Sequence, residues 1–334
     1  MTAVAVMGAG TWGTAFSLVL ADAGNDVRIW GRRPELCDAI NRTGENPDYL
    51  PGVALPRSIA ADHDPAKALR GAQVVVVAVP SQRLRENLTP WVPLLRPDAV
   101  LLSLMKGVEL GTTKRMSEVI GELTGAGPER VAVLSGPNLA KEIAARQPAA
   151  TVVACADHDE AVRLQKLCHT AMFRPYTNTD VVGCELGGAT KNVIALAVGM
   201  ASGLGFGDNA KASVITRGLA ETGRLAAAAG ADPMTMAGLA GLGDLVATCS
   251  SPLSRNRTFG EKLGRGMTVD EVVASSRQVA EGVRSCESLR QLSERSGVEM
   301  PIVQAVSALV RGDTTPAEMV RSLISRAARA ERWS

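Results

Sequence analysis

The sequence is poor in aromatic residues and lacks any concentration of charge. Phe, Trp and Tyr together make up 3% of the 334 residues, too few for the stacking platforms that bind single-stranded nucleic acid. The formal net charge is only +2, and no run of five or more like charges occurs. These features argue against nucleic acid or an anionic membrane surface as the main partner.

Metal-binding spacings and long apolar runs are also missing. The six cysteines and three histidines are scattered and form no Cys-x-x-Cys pair, so we predict no metal site. We interpret the cysteines as reduced core residues. The chain starts directly on a strand-like segment without a cleavable leader, and no apolar run is long enough to cross a membrane. We therefore expect a cytoplasmic protein without an integral membrane segment.

A glycine-rich turn follows the first apolar segment. Residues 3–7 are typical of a buried strand, residues 8–13 read Gly-Ala-Gly-Thr-Trp-Gly, and a helical pattern follows. This is the strand, Gly-x-Gly-x-x-Gly and helix arrangement of dinucleotide-binding proteins. Gly8 would allow the tight turn, Gly10 the approach of a pyrophosphate and Gly13 the close packing of helix and strand.

The second strand predicts which dinucleotide is preferred. An NAD-preferring site usually has an acidic residue about 20 residues after the glycines, to bind the ribose 2′-hydroxyl. Here the strand at 27–30 ends in Gly31, Arg32 and Arg33. Two guanidinium groups suit a 2′-phosphate. We predict NADPH as the preferred cofactor and NADH as the alternative, although Glu35 and a simple solvent-facing arginine pair count against this.

The first half alternates strand-like and helical segments. Apolar runs at 72–79, 100–104, 131–134, 150–154 and 172–176 predict further strands of a doubly wound, Rossmann-type parallel sheet. Ligands bind beyond the carboxyl ends of such strands. Lys106 and the 135–138 turn follow two of these ends, so we expect both near the cofactor, although a surface cation and a plain turn remain alternatives.

The second half has a helical period throughout. We predict helices at about 184–200, 211–229, 234–249 with a glycine-rich break, 254–264, 268–275, 279–297, 301–311 and 315–329. The chain therefore divides into a dinucleotide-binding domain at 1–182 and an all-α substrate and catalytic domain at 183–330.

The first helix of the second domain contains an unusual lysine. Lys191 shares its helix face with Gly187 and Gly188, which leaves a notch for another molecule to approach; a tight helix crossing is the alternative. Asp244 follows two glycines and could orient Lys191 or a substrate hydroxyl, or could simply cap a helix. The Ser-Arg-Asn-Arg sequence at 254–257 offers a helix N-terminus and two guanidinium groups for a phosphate, or a solvated basic face. Residues 278–282 could touch the cofactor or begin a helix.

Taken together, the motifs resemble the bacterial NAD(P)-dependent sn-glycerol-3-phosphate dehydrogenase family over almost the whole chain. The matching segments are 8–13, 106–109, 136–137, 185–193, 209–210, 216–218, 241–244, 254–256 and 281–282. The resemblance implies reversible conversion of dihydroxyacetone phosphate to sn-glycerol 3-phosphate for glycerophospholipid synthesis. The sequence leaves open whether the chain acts alone or as a homodimer.

The resemblance also implies roles for individual residues. Lys191 is the expected proton donor and acceptor. The expected substrate contacts are Lys106, Gly136, Asn138, Lys191, Asp244, Ser254, Arg255 and Asn256. The expected cofactor contacts are Gly8, Gly10, Thr11, Trp12, Gly13, Arg32, Arg33, Lys106, Ala140, Arg255, Val279 and Glu281. Asn138 departs from the Ser or Thr usual in the family, and Ser202 replaces a common Asp and receives no role.

Two other interpretations remain at this point. A dehydrogenase of the 6-phosphogluconate or 3-hydroxyacid type also joins a dinucleotide-binding domain to a helical one. A redox sensor could bind NADPH and signal through the helical domain, but it would not need Lys106, Lys191 and Asp244.

Overall fold

The computed structural model describes residues 2–275 and 280–325. The contacts divide the chain into two compact units. Unit 1 comprises Met1–Lys106 and Arg115–Cys184, and unit 2 comprises Gly107–Lys114 and the chain from Glu185 onward. The predicted boundary after residue 182 is close to this division, but the sequence did not indicate that 107–114 belongs with unit 2.

Unit 1 contains an eight-stranded sheet flanked by helices. The strands are β1 (Ala3–Met7), β2 (Asp26–Trp30), β3 (Ile59–Asp62), β4 (Val74–Val77), β5 (Val100–Ser103), β6 (Val131–Ser135), β7 (Ala149–Ala154) and β8 (Phe173–Asn178). The helices are α1 (Thr11–Asp22), α2 (Pro34–Thr43), α3 (Pro65–Leu69), α4 (Leu84–Leu88), α5 (Met116–Thr124), α6 (Ala140–Ala144) and α7 (His158–Cys168). Short 3-10 turns lie at Ser81–Arg83, Thr89–Leu94 and Pro128–Arg130.

The strand order of this sheet is β3-β2-β1-β4-β5-β6-β7-β8. Its first six strands follow the order typical of dinucleotide-binding folds. The predicted Rossmann-type fold class is confirmed. Two features differ from the prediction: β3 has no counterpart among the predicted strands, and β7 and β8, which are parallel to each other, run antiparallel to the first six strands.

Both faces of the sheet are covered. Along β1, Val4 and Val6 belong to one buried apolar cluster and Ala5 and Met7 to another. Successive side chains of a strand point to opposite faces, so the two clusters lie on opposite sides of the sheet. This explains why the central strand β4 consists entirely of valine and is buried throughout.

Apart from the segment 107–114 and the connecting loops, the described residues of unit 2 are helical. After α8 (Val181–Gly203), whose first residues Val181–Cys184 are assigned to unit 1, come α9 (Asp208–Ala228), α10 (Pro233–Ala237), a π-helix at Leu239–Gly243, α11 (Asp244–Ser250), α12 (Arg255–Gly264), α13 (Val269–Ala274), α14 (Glu281–Arg295), α15 (Pro301–Arg311) and α16 (Pro316–Ile324). The predicted helices are present where the structure describes them. The ends predicted at 279 and beyond 325 lie outside the described residues.

Helices α8 and α12 cross with their backbones in contact. The crossing is lined by Gly199, Gly203, Gly260 and Gly264. A Cβ atom at Gly199 would lie 2.0 Å from the carbonyl oxygen of Arg257, and one at Gly260 would lie 2.1 Å from that of Leu196. We call this the glycine crossing. It accounts for glycines inside helices, where they otherwise cost about 1 kcal/mol each relative to alanine.

Among the described residues, α8 alone is long and apolar enough to satisfy a simple membrane-span criterion. Most of its apolar window (89%) is buried inside the protein. Core helices pass the same criterion, so this is weak evidence for a membrane segment.

Candidate active site

The glycine-rich turn of unit 1 is closed by contacts that only glycine allows. Gly8 follows β1 with a φ of +141°, and a Cβ atom there would lie 2.4 Å from the carbonyl oxygen of Ala78. A Cβ atom at Gly13 would lie 2.0 Å from the carbonyl oxygen of Gly8. Gly13 therefore allows α1 to approach the end of β1, and Gly8 allows that end to approach the residue after β4.

The start of α1 leaves polar groups suited to an anion. Its N-cap, Gly10, provides no side-chain cap, and its first turn contains no acidic residue. A Cβ atom at Gly10 would have nothing within 4 Å. The indole Nε1 of Trp12 is buried without a hydrogen-bond partner. Unsatisfied N–H groups at a helix N-terminus favour a phosphate, so this turn fits the pyrophosphate of a dinucleotide.

Arg32 and Arg33 lie next to this turn. The backbone N–H of Gly8 donates to the carbonyl oxygen of Trp30, at 3.1 Å. A Cβ atom at Gly31 would lie 3.2 Å from the Cβ of Ala9. The ends of β1 and β2 therefore lie side by side. The glycine-rich turn follows one of them, and the two arginines follow the other, as the sequence predicted.

Lys106 and the turn after β6 meet at the same edge of the sheet. The Lys106 ammonium donates to the carbonyl oxygen of Gly136, with an Nζ–O distance of 3.0 Å. The Asn138 amide Nδ2 donates to Thr151 Oγ1 at 3.0 Å, while its Oδ1 is buried without a partner. The side-chain Oδ1 of Asn138 therefore remains able to accept a hydrogen bond from a ligand.

The predicted cofactor residues Trp12 and Ala140 pack together on a small apolar cluster of unit 1. Ala140 is the first residue of α6, and Thr11 is the first residue of α1. Helix starts from two segments thus flank the glycine-rich turn.

In unit 2, Lys191 is buried and held by two acceptors. Only 8% of the residue is exposed. Its Nζ lies 2.5 Å from Asp244 Oδ1 and 2.8 Å from Thr248 Oγ1. A buried ammonium needs such partners because desolvation is otherwise costly. The alternative in which Lys191 extends to water is wrong, and the predicted pairing with Asp244 is confirmed by this contact.

A local irregularity positions Asp244. The glycine-rich break predicted within 234–249 is a π-helix at Leu239–Gly243, closed by a hydrogen bond of 3.1 Å from the N–H of Gly243 to the carbonyl oxygen of Gly238. Asp244 begins α11 directly after it. Such widened turns rotate the residues that follow, and they are frequent at functional sites.

The notch predicted beside Lys191 is partly filled by this same segment. A Cβ atom at Gly187 would lie 2.6 Å from the carbonyl oxygen of Ala240. The tight-packing interpretation therefore holds for Gly187. The gap that remains beside Lys191 is too small to hold a water molecule; it is lined by Thr190, Leu219, Thr222 and Leu245, among others.

The start of α12 lies beside the residue that follows Lys191. Asn256 Nδ2 donates to Asn192 Oδ1, and Asn256 Oδ1 accepts from the backbone N–H of Gly282, both at 2.8 Å. Ser254 is the N-cap, and its Oγ accepts from the N–H of Arg257 at 3.2 Å. The amide nitrogen and the amide oxygen of Asn256 are therefore both hydrogen-bonded within the protein. This favours a structural role for Asn256 in addition to the predicted contact with substrate.

Two further predicted contacts, Arg255 and Glu281, lie at the first residues of α12 and α14. Arg255 is exposed on the first turn of α12 and interacts electrostatically with Glu281, the first residue of α14. Val279 lies outside the described residues.

Thr248, whose hydroxyl accepts a hydrogen bond from Lys191, was not among the residues predicted from the sequence. It lies one helical turn after Asp244, and its Oγ1 is also 3.3 Å from Asp244 Oδ1. The spacing of four residues was the available signal, because residues so spaced share a helix face.

Comparison with known proteins matches both halves of the chain to one enzyme family. Residues 3–161 match the family model described as NAD-dependent glycerol-3-phosphate dehydrogenase N-terminus, and residues 180–321 match that described as its C-terminus. A Streptomyces avermitilis protein named glycerol-3-phosphate dehydrogenase (NAD(P)+) is 64% identical over 328 residues, covering 98% of each chain. A Thermobifida fusca protein of the same name is 63% identical over 334 residues, covering 100% of this chain and 99% of the relative.

A solved structure is similar over nearly the whole length as well. The crystal structure of glycerol-3-phosphate dehydrogenase from Coxiella burnetii superposes with a TM-score of 0.93 at 37% identity, covering 97% of this chain and 98% of that chain.

Proposed function

Because the chain belongs to the NAD-dependent glycerol-3-phosphate dehydrogenase family, we propose that it reversibly reduces dihydroxyacetone phosphate to sn-glycerol 3-phosphate. The chain is thus an oxidoreductase that acts on a CH–OH group with a nicotinamide dinucleotide. We further propose that NADPH is its preferred cofactor, that NADH is the alternative, and that the product supplies glycerophospholipid synthesis. The two arginines after β2 and the lack of a carboxylate at its end support the preference for NADPH.

The observation that carries the proposal is the buried Lys191 ammonium with its two acceptors. When bound, the reduced nicotinamide supplies a hydride to the carbonyl carbon of the substrate. The carbonyl oxygen then gains negative charge. Lys191 stabilises this charge and donates its proton to the oxygen, while Asp244 and Thr248 hold the ammonium in place.

Other residues of the chain bind the substrate and orient its reacting carbon. The N-terminus of α12 and Arg255 suit the substrate phosphate, since free N–H groups and a guanidinium both bind anions. Binding energy from the phosphate then helps position the reacting carbon. In unit 1, Lys106 adds a cation beside the Gly136 carbonyl, where we propose contacts with substrate and cofactor.

We also propose a cytoplasmic location. All six cysteines are free and buried, which suits a reducing compartment.

The test is loss of NADPH absorbance on addition of dihydroxyacetone phosphate. We expect turnover by the wild type and a loss of at least about a hundredfold in Lys191→Ala, the low end for removal of a general acid. Lys166→Ala, an exposed lysine of α7, is the control and should retain full activity.

Three outcomes would contradict the proposal. Near-normal turnover by Lys191→Ala, with folding confirmed by circular dichroism, would remove Lys191 from the chemistry. Activity on a hydroxyacid but none on dihydroxyacetone phosphate would favour the related dehydrogenases. Binding of NADPH without turnover of any substrate would favour the redox sensor.

A further inference from the structure

The two arginines at the end of β2 differ in their surroundings. Arg32 is exposed, and in the described part of the chain its side chain makes no hydrogen bond or ion pair. Its guanidinium therefore keeps all its donors available for a ligand. The sequence alone treats Arg32 and Arg33 as equivalent.

Arg33 is held by its neighbours in unit 1. Its Nη2 forms a hydrogen-bonded ion pair with the Asp48 carboxylate, and its Nε lies 3.9 Å from Glu35 Oε1. The guanidinium carbon is 5.8 Å from the centre of the Tyr49 ring. The hydrogen bond to Asp48 raises the pKa of Arg33 above its ordinary value. These contacts occupy one side of the fork and offset part of its charge.

The turn that carries Asp48 is anchored to the glycine-rich turn. Asn46 is fully buried, and its Nδ2 donates to the carbonyl oxygen of Ala9 at 3.0 Å and to Thr14 Oγ1 at 2.8 Å. Its Oδ1 accepts from the backbone N–H of Tyr49 at 3.2 Å. The Asp48 carboxylate is itself exposed, but it lies in a turn that is fixed to the glycine-rich turn, and it pairs with Arg33 there.

We propose that Asp48 is a specificity-determining residue, which withholds Arg33 from the 2′-phosphate of NADPH and leaves Arg32 as its main ligand. This rests on the nicotinamide dinucleotide assigned under the proposed function. A 2′-phosphate is close to dianionic, and a carboxylate paired with the adjacent arginine repels it. NADH has a neutral 2′-hydroxyl and does not meet this repulsion. Asp48 thereby narrows the difference in affinity between the two cofactors.

The test is calorimetric titration of NADPH and NADH into the full-length protein without substrate. We expect Asp48→Asn to lower the Kd of NADPH about threefold to tenfold, because one repelling charge is removed. The Kd of NADH should change less than about twofold, and the gain for NADPH should shrink at high salt. Asp48→Glu should restore the wild-type ratio of the two affinities.

The two arginines are tested in the same way. Arg32→Ala should weaken NADPH binding about tenfold or more, since it removes the available guanidinium, and Arg33→Ala should weaken it less. Neither should alter the Kd of NADH by the same factor. Asp38→Asn, which removes an exposed carboxylate from α2, is the charge-matched control and should leave both constants unchanged.

Several results would overturn the assignment. These are equal effects of Asp48→Asn and Asp38→Asn, parallel changes for NADPH and NADH in Asp48→Asn, or a larger loss in Arg33→Ala than in Arg32→Ala. The measurement needs no turnover. A chain that binds both dinucleotides as described here but does not reduce dihydroxyacetone phosphate would contradict the proposed function and leave this inference standing.

Discussion

At the scale of single residues, the buried Lys191 ammonium is held by two acceptors, Asp244 and Thr248. Lys191 and Asp244 stood out because charged residues beside glycines call for an explanation. Thr248 looks like any helical threonine, and only the fold shows that its hydroxyl meets the ammonium. Similarly, the sequence could not show that the Asn256 amide forms hydrogen bonds with Asn192 and Gly282, because those contacts join three separate helices.

Thr248 should affect the rate through the position of the Lys191 ammonium. Thr248→Val keeps the shape but removes an acceptor, and an unsatisfied buried donor costs about 1–3 kcal/mol. We expect kcat to fall about tenfold and its pH profile to shift, whereas Thr248→Ser should stay close to the wild type. Steady-state kinetics as a function of pH would check this. Equal rates for the Val and Ser variants would show that the hydroxyl is unimportant.

At the scale of elements, the glycine crossing holds α8, the helix that carries Lys191, in backbone contact with α12. Helical periodicity predicted both helices but not their crossing. Which helices cross could not be predicted, because glycines do not specify a partner. The π-helix was anticipated only as a break in the pattern.

Gly260→Ala should destabilise this crossing. The added methyl would lie 2.1 Å from the Leu196 carbonyl oxygen, so the helices must separate. We expect a loss of about 2 to 3 kcal/mol in the free energy of unfolding, as for other overpacked sites. Gly121→Ala in α5, whose nearest contact would be 3.4 Å, is the matched control and should gain about 0.5–1 kcal/mol. Chemical denaturation measures both, and equal effects would contradict the packing argument.

The carboxylate of Glu287 on α14 is hydrogen-bonded to its own helix and to α15. Glu287 accepts hydrogen bonds from Arg290 at 2.6 Å, from Ser307 at 2.9 Å and from Arg311 at 3.1 Å. The hydrogen bond from Arg290 lowers the pKa of Glu287 from its ordinary value of 4.5 to about 2. A carboxyl with a depressed folded-state pKa stabilises the protein above its unfolded-state pKa. That contribution is lost as the pH falls from about 4.5 to about 2.

Glu287→Gln should therefore lower the Tm at neutral pH, and the difference from the wild type should shrink below about pH 4. Glu294→Gln, on the same helix and more exposed, is the control and should show a smaller difference at every pH. Thermal unfolding across this range decides the matter. A Tm difference that does not depend on pH would mean that the carboxylate charge is not the cause.

At the scale of the whole molecule, the order of the elements was readable because the hydrophobic period changes from strands to helices near residue 181. The strand β3 was missed because half of its four residues are alanine and the last is a charged Asp, so it forms no apolar run like those of β4 and β5. The antiparallel direction of β7 depends on the connection that precedes it, which the apolar run of β7 does not encode. The assignment of 107–114 to unit 2 depends on distant contacts, such as those between Arg295 and the carbonyl oxygens of Gly111 and Thr112.

The thiols of the whole molecule should be inert in the native state. All six cysteines are free and buried, and burial raises the pKa of Cys168 and Cys249 to about 12 and that of Cys286 to about 11. The thiolate is the reactive form. We expect an aromatic disulfide reagent at pH 8 to label the native protein slowly and the denatured protein at all six positions. Rapid labelling of the native protein would contradict this burial.

The contact between α8 and α12 also constrains how the gene can vary. Any missense change in a glycine codon introduces a residue that carries at least one more carbon on the backbone. At Gly199 and Gly260 that carbon meets a carbonyl oxygen of the facing helix. Every amino-acid replacement at either position therefore disturbs the packing. A replacement can be tolerated only if the facing helix moves as well. Surveys of natural variants should find these two positions nearly fixed, while the exposed surface of α12 diverges freely.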